Sequence, residues 1–198
     1  MILKICGITN PEDAAAAIEG GATAIGFNFY AKSPRYIAPE RAAAIVSSGV
    51  RRVGVFVNES PARVEAVAAI ARLDVAQLHG EETAADYPKM AVWKAARVDE
   101  SFDVSAYDDC PAEALMLDGP AGALYGGSGK TFDWSRAAAI RKRIILAGGL
   151  DASNVAIAIK LAHPWGVDAC SRIESAPGKK DHRKMSEFLE AAKAALGA

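Results

Sequence analysis

Eight short apolar runs recur along the 198 residues, and most are followed by a segment with helical periodicity. Strands that alternate with helices predict right-handed βαβ units and a parallel sheet. Eight such units fit a single domain over residues 1–198, folded as a closed (βα)8 TIM barrel with eight parallel strands. An open doubly wound sheet with fewer strands is the alternative. The predicted strands are 2–6, 24–29, 53–57, 75–79, 92–96, 114–118, 144–148 and 166–169.

Helix boundaries can be predicted from capping residues between the runs. Asn10-Pro11 and Ser60-Pro61 each combine an N-cap residue with proline at the first helical position. A further helix is predicted from Pro39 through Val46. The segments after the fourth and fifth runs show the weakest helical pattern. The last helix carries a regular apolar stripe, formed by Met185, Phe188, Leu189, Ala192 and Leu196.

Composition excludes several classes of protein. The 23 Lys and Arg residues nearly balance the 24 Asp and Glu residues, so no basic surface predicts a nucleic-acid partner. No apolar run reaches the roughly 20 residues of a membrane-spanning helix, and we expect no signal peptide. The three cysteines are widely spaced without a CxxC pair, so we expect neither a disulfide framework nor a zinc site. We therefore expect a cytoplasmic protein without a metal.

Polar residues stand where the predicted strands end, which is where parallel barrels carry their reactive groups. Cys6, Asn28, His79 and Asp118 end strands one, two, four and six, and Asp168 belongs to the end of strand eight. Taken singly, a cysteine there is often a buried apolar residue and an aspartate a turn former. Taken together at one barrel mouth, Cys6 and Asp118 indicate general acid–base chemistry. His79 is interpreted as a packing or loop-bridging residue.

Glycine-rich turns follow strands six and seven. The segment 126–130 (GGSGK) lacks the P-loop spacing, so a nucleotide site is disfavoured, and alone it could equally be a lid without a ligand. Gly148-Gly149 follow strand seven, and a polar turn that includes Ser171 follows strand eight. This arrangement is typical of the phosphate sites of (βα)8 barrels, and it favours a phosphorylated small molecule as the ligand.

Longer motifs give the chain a family resemblance. In order they are 4–9 (KICGIT), 32–37 (KSPRYI), 53–58 (VGVFVN), 77–80 (QLHG), 126–134 (GGSGKTFDW), 146–150 (LAGGL) and 174–181 (ESAPGKKD). Together they span nearly the whole chain, which resembles the phosphoribosylanthranilate isomerases of tryptophan biosynthesis. The resemblance implies an Amadori rearrangement of N-(5′-phosphoribosyl)anthranilate, with Asp118 as general acid and Cys6 as general base.

The resemblance also implies the remaining site residues. Arg35 would meet the anthranilate carboxylate or guard the intermediate, or else form a loop salt bridge. No cofactor is implied, because the nitrogen of the substrate delocalises the electrons, and a monomer is expected. The residues implied to bind the phosphate are Gly127, Ser128, Gly148, Gly149 and Ser171.

One position departs from the family pattern. After strand eight the family usually has Ser-Ser-Gly-Val-Glu, whereas this chain has Cys170-Ser171-Arg172-Ile173-Glu174. Arg172 either adds a charge to the phosphate site, or turns its side chain outward with an ordinary negative φ. Both interpretations are open at the level of sequence.

Four other functions compete with this one. The histidine-pathway isomerase, and a bifunctional form of the two enzymes, share the fold and chemistry but use a carboxylate as base on strand one, so Cys6 disfavours them. Indoleglycerol-phosphate synthase would need a catalytic lysine and glutamates at strand ends. A barrel that only binds a phosphorylated metabolite would need neither Cys6 nor Asp118.

Overall fold

A computed structural model of the protein describes residues 1–99, 101–107, 109–119 and 131–196. Eight parallel strands pair in chain order, and the eighth pairs with the first, which confirms the predicted closed barrel. The strands are β1 (Ile2–Ile5), β2 (Ala24–Asn28), β3 (Arg51–Phe56), β4 (Val75–Leu78), β5 (Ala91–Arg97), β6 (Ala114–Asp118), β7 (Ile144–Leu146) and β8 (Gly166–Ala169).

The helices surround the barrel. They are α1 (Pro11–Glu19), α2 (Pro39–Ala44), α3 (Pro61–Ala71), α4 (Val155–Ala162) and α5 (His182–Leu196). The predicted caps of two helices are present, since Oδ1 of Asn10 accepts from the Asp13 N–H at 2.8 Å and Oγ of Ser60 accepts from the Arg63 N–H at 3.3 Å. The caps explain why these helices begin at Pro11 and Pro61.

Three connections differ from the regular βα pattern. The described residues after β4, β5 and β6 carry only short 3₁₀ helices, at Ala84–Asp86, Val104–Tyr107 and Trp134–Ala139. The sequence there has no extended apolar stripe, so a long helix would have had little surface to bury. A fourth 3₁₀ helix, Ser171–Ile173, and a two-stranded hairpin, β9 (Glu174–Ala176) with β10 (Lys179–Lys180), lie between β8 and α5.

Side chains alternate between two buried regions. Along β1, Leu3 and Ile5 belong to the core between barrel and helices, whereas Ile2 belongs to the smaller cluster inside the barrel. Because strand side chains alternate, Lys4 shares the inward face with Ile2. The cluster inside the barrel comprises Ile2, Ala24, Val53, Val75, Trp93, Ala95, Ala114, Met116, Ile145 and Ala147.

Candidate active site

Inward-facing polar side chains from four strands converge at the carboxyl end of the barrel, above the apolar cluster. Along or directly after each strand, β1 contributes Lys4 and Cys6, β4 contributes Gln77 and His79, β6 contributes Asp118, and β8 contributes Asp168 and Cys170. The cavity at this end has a volume of about 70 Å³, and we call it the mouth cavity. It is lined by all the sequence-predicted site residues that the structure describes, namely Cys6, Arg35, Asp118, Gly148, Gly149 and Ser171. The predicted phosphate ligands Gly127 and Ser128 lie outside the described residues.

Cys6 occupies a small space between β2 and β8. A Cβ atom on Gly26 of β2 would lie 2.9 Å from the Cys6 Sγ, so this glycine makes room for the thiol. On the other side lies the thiol of Cys170, which lines the same cavity. The interaction with the Cys170 thiol lowers the pKa of Cys6 well below its usual value; burial opposes this shift, and the charge of Lys4 adds to it. Cys6 is thus a thiol in an environment that favours the thiolate.

Lys4 and Asp168 form a buried ion pair directly below this thiol. Their Nζ and Oδ1 atoms lie 2.8 Å apart, and the Lys4 side chain is fully buried. Burial acts to lower the pKa of Lys4, but the charges of Asp168 and Cys6 outweigh it and raise that pKa above its ordinary value. Burial raises the pKa of Asp168 to about 7, and Lys4 limits the rise. Lys4 therefore places a positive charge beneath Cys6.

Asp118 lies across the mouth cavity beside β4. Nε2 of His79 lies 3.4 Å from Oδ2 of Asp118, and Nδ1 of His79 lies 3.2 Å from Nε2 of Gln77. Gly148 packs against the other carboxylate oxygen: with φ of +76°, its position would put a Cβ atom 2.6 Å from Oδ1 of Asp118. A histidine and a glycine thus confine one carboxyl group. Sequence reasoning placed all three residues at one barrel mouth and predicted neither contact.

Arg35 is held by a carboxylate from the far end of the chain. Its Nε lies 2.9 Å and 3.2 Å from the two carboxylate oxygens of Glu174, and its Nη2 lies 2.8 Å from Oε2. Nζ of Lys180 reaches the same carboxylate at 2.9 Å. Burial acts to raise the pKa of Glu174, but Arg35 and Lys180 outweigh it and lower that pKa. This fork-shaped contact fixes the plane of the guanidinium beside the mouth cavity.

Arg172 combines parts of both sequence interpretations. It lies in the 3₁₀ helix Ser171–Ile173 and is not among the residues with positive φ, so it does not need the backbone freedom of a glycine. Its Nε contacts Oδ2 of Asp151 at 2.6 Å, while its side chain still lines the mouth cavity. Asp151 therefore offsets part of the charge that Arg172 brings to this rim.

A larger cavity of about 690 Å³ adjoins the mouth cavity. It lies between the connections after β4, β5 and β6. Of the residues that the structure describes, only His79 and Asp118 line both cavities. We place the site in the mouth cavity because the inward-facing polar side chains of the strands converge there. In the described ranges, no group of three or more His, Cys, Asp or Glu side chains is arranged to hold a metal ion. No helix within those ranges has the length and apolarity to cross a membrane.

Sequence reasoning missed four polar neighbours of the site: Lys4, Gln77, Cys170 as a partner of Cys6, and Glu174 as a partner of Arg35. The first two could have been found from strand alternation, since each stands two residues before an end-of-strand residue, Cys6 or His79. The Arg35–Glu174 pair joins residues 139 positions apart and leaves no local signal.

Comparisons with known proteins agree with this geometry. The sequence model of a family described as N-(5′-phosphoribosyl)anthranilate (PRA) isomerase matches residues 3–191. The chain is 71% identical to the N-(5′-phosphoribosyl)anthranilate isomerase of Solibacter usitatus, over the full length of both proteins. The crystal structure of the phosphoribosylanthranilate isomerase of Thermotoga maritima superposes with a TM-score of 0.89 at 42% identity, covering 98% of this chain and 100% of that one.

A second solved structure contains a ligand. It is a phosphoribosylanthranilate isomerase in complex with reduced 1-(o-carboxyphenylamino)-1-deoxyribulose 5-phosphate. It superposes with a TM-score of 0.84 at 40% identity, covering 98% of this chain and 100% of that one. That ligand combines a phosphate, a sugar carbon chain and an aromatic carboxylate.

Proposed function

The chain belongs to the N-(5′-phosphoribosyl)anthranilate isomerase family, and we propose that Cys6 and Asp118 are the general base and general acid of its reaction. The enzyme converts N-(5′-phosphoribosyl)anthranilate to 1-(2-carboxyphenylamino)-1-deoxyribulose 5-phosphate in tryptophan biosynthesis. The observation that carries the assignment is that Cys6 and Asp118 line the same mouth cavity from strands β1 and β6.

The reaction needs one proton delivered and another removed. Asp118 donates a proton to the furanose ring oxygen, and the C1′–O bond breaks as the anthranilate nitrogen forms a double bond to C1′. The Cys6 thiolate then removes the proton on C2′, and that electron pair forms the C1′–C2′ double bond of an enolamine while nitrogen regains its lone pair. Ketonisation adds a proton at C1′ and releases the proton on O2′. These steps fit positioned acid and base groups and require neither a cofactor nor a metal.

The environment of each group suits its role. A thiol is a useful base at neutral pH only when its thiolate is accessible. The interaction with the Cys170 thiol and the charge of Lys4 both favour the thiolate of Cys6. Asp118 is buried to 7% exposure, between His79 and Gly148. Such confinement holds the carboxyl group in one orientation toward the substrate.

The phosphate would bind at the glycines after β7 and the polar turn after β8. Gly148 and Gly149 have φ of +76° and +68° and carry no Cβ, so an anion can approach their backbone closely. Ser171 supplies a hydroxyl on the same wall of the mouth cavity. Gly127 and Ser128 complete the proposed set on the basis of sequence.

The anthranilate carboxylate would bind Arg35. Glu174 occupies Nε and Nη2 of that guanidinium. The ligand would therefore meet the Nη1 edge. Arginine suits this task because its planar fork matches a carboxylate.

We further propose that the enzyme works as a cytoplasmic monomer. Its three cysteines are free thiols, as in proteins of reducing compartments. Among the described residues, the exposed large apolar side chains are Met1, Tyr36, Val46, Ile70, Ile157 and Leu161. Of these only Ile157 and Leu161 share an element, α4. A Thermotoga maritima relative is described as dimeric, so molar mass in solution, measured by light scattering, is the test; a dimer of this chain would contradict the proposal.

Direct turnover tests the reaction. N-(5′-Phosphoribosyl)anthranilate is generated in situ, and the loss of its fluorescence is followed after the enzyme is added, with and without a chelator. The histidine-pathway substrate serves as a parallel control. Turnover of the first substrate alone, unchanged by the chelator, supports the proposal. Turnover of both would identify a bifunctional barrel, and turnover of neither by folded protein would leave only a binding role.

A further inference from the structure

Two cysteines stand side by side on neighbouring strands of the barrel. β1 and β8 pair residue for residue, with Lys4 opposite Asp168 and Ile5 opposite Ala169. The Cys6 N–H donates to the Ala169 carbonyl at 2.9 Å, which completes the pairing of Ile5 with Ala169. Cys6 and Cys170 are the next residues along the two chain segments, and both line the mouth cavity.

This arrangement is compatible with a disulfide. Neighbouring strands lie about 4.8 Å apart, and disulfides join Cα atoms about 4.4–6.8 Å apart. The Cys170 Sγ lies beside the backbone that follows Cys6, 3.1 Å from the position that a Cβ atom on Gly7 would take. The third cysteine, Cys110, has a different environment, since its Sγ lies 3.2 Å from the Tyr87 hydroxyl and outside the mouth cavity.

The surroundings make one of the two thiols reactive toward oxidants. Lys4 stands below Cys6, and Nζ of Lys180 lies 3.9 Å from Sγ of Cys170. Positive charges stabilise a thiolate, and the thiolate is the species that hydroperoxides oxidise. Both cysteines line a cavity at the surface of the barrel, which a small peroxide can enter.

We propose that Cys6 and Cys170 form a site of reversible oxidation by hydroperoxides. The Cys6 thiolate attacks one peroxide oxygen, so the O–O bond breaks, hydroxide (or an alkoxide) leaves, and Cys6 becomes a sulfenic acid. Sγ of Cys170 then displaces water from that sulfenic acid and gives the Cys6–Cys170 disulfide. The two thiols together lose two electrons, and the peroxide gains these two electrons. A thiol reductant reverses the bond.

The bond would stop turnover, because a disulfide sulfur cannot remove the C2′ proton. This consequence rests on the role proposed for Cys6, whereas formation of the bond does not. The two claims can therefore be tested in one experiment with separate readouts.

The experiment exposes the purified, reduced enzyme to hydrogen peroxide and then blocks the remaining thiols. Intact mass, peptide mapping and turnover are measured before and after dithiothreitol. We expect the intact mass to fall by two hydrogens and peptide mapping to show a linked Cys6–Cys170 peptide. Turnover should fall in proportion to the linked fraction, and dithiothreitol should restore it. Cys110→Ser should behave like the natural chain.

Cys170→Ser supplies the decisive comparison, with its turnover normalised to its own untreated sample. Without a resolving thiol, Cys6 should gain oxygen atoms, and its loss of turnover should resist dithiothreitol once the sulfinic acid has formed. Oxygen addition on Cys6 in the natural chain, with no linked peptide, would overturn the oxidation site. A linked peptide with full turnover would establish the site and contradict the role of Cys6 as base.

Discussion

Nε2 of His79 lies 3.4 Å from Oδ2 of Asp118, while Nδ1 of the same ring lies 3.2 Å from the side-chain Nε2 of Gln77. An amide N–H pointing at Nδ1 requires a lone pair there, so this assignment leaves the proton on Nε2, facing Asp118. Gln77 is buried and its Oε1 has no hydrogen-bond partner among the described residues. The three side chains form a row in which Gln77 sets the tautomer of His79, and His79 orients Asp118.

We expect His79→Gln to lower kcat with little change in KM, because the contact acts on the acid and not on the bound phosphate. Hydrogen bonds of catalytic groups are often long in the free enzyme and shorten with substrate bound. A hydrogen bond to the carboxylate that forms as Asp118 gives up its proton contributes about 1.5–3 kcal/mol, which corresponds to a loss of about 10- to 100-fold in rate. Steady-state kinetics on N-(5′-phosphoribosyl)anthranilate measure it. Gln77→Leu should lower kcat less, and it should leave thermal stability nearly unchanged, because it also removes the unpartnered Oε1. A His79→Gln enzyme with full kcat would show that this row has no part in the reaction.

Cys6→Ala and Asp118→Ala should each abolish most turnover while the barrel stays folded. A positioned acid or base contributes about 10²- to 10⁴-fold, so kcat should fall by that range in each variant. Cys110→Ala is the matched control for loss of a thiol away from the mouth cavity. Circular dichroism and thermal melts report folding. A variant of either residue that retains the full rate would refute the role assigned to that residue.

Lys4 links the stability of the barrel to its chemistry. Removing one partner of a buried ion pair typically destabilises a protein by about 3–5 kcal/mol, so Lys4→Met should lower the free energy of unfolding by that amount. Lys4→Met combined with Asp168→Leu should recover much of it, since no unpaired charge is left buried. Urea unfolding of the two variants measures both effects.

The same substitution should change the pH dependence of the thiol. The interaction with the Cys170 thiol and the charge of Lys4 both lower the pKa of Cys6. Without it, the thiolate forms only at higher pH, so the acidic limb of the kcat/KM profile should move upward. The pH dependence of Cys6 alkylation by iodoacetamide reports the same shift independently of turnover, and an unmoved profile in both assays would contradict it.

The sequence predicted the closed barrel because apolar runs typical of strands recur eight times. Misassigning one of these strands would change their number only slightly. It predicted Cys6 and Asp118 at one barrel mouth because parallel strands bring their carboxyl ends to one edge. It interpreted His79 as a packing residue because nothing local to 77–80 reveals Asp118. Contacts such as Arg35–Glu174 depend on how the chain closes on itself, and that is set by packing across the whole barrel.

Arg35→Lys should weaken substrate binding more than it slows the chemical steps. Lysine keeps the positive charge but loses the planar fork that contacts Glu174 and that we propose meets the anthranilate carboxylate. We expect KM to rise about tenfold, the equivalent of roughly 1.4 kcal/mol of lost interaction, with a smaller change in kcat. Arg183→Lys, on the exposed part of α5, is the control. An unchanged KM would assign Arg35 to the loop salt bridge alone.

Glu174 should make the barrel sensitive to acid. Burial opposes the shift, but Arg35 and Lys180 lower the pKa of this carboxylate in the folded state, so the folded protein binds a proton there less readily than the unfolded chain does. Its contribution to stability is therefore complete above the unfolded pKa of about 4.3 and is lost as pH falls through the lower, folded pKa. Urea unfolding from pH 6 down to pH 3 should show Glu174→Gln less stable than the natural chain at pH 6, with the difference shrinking toward pH 3. Glu187→Gln, whose partner Arg183 is exposed on α5, should show a small difference at every pH. A difference for Glu174→Gln that stays constant with pH would mean that the charge of this carboxylate does not stabilise the fold.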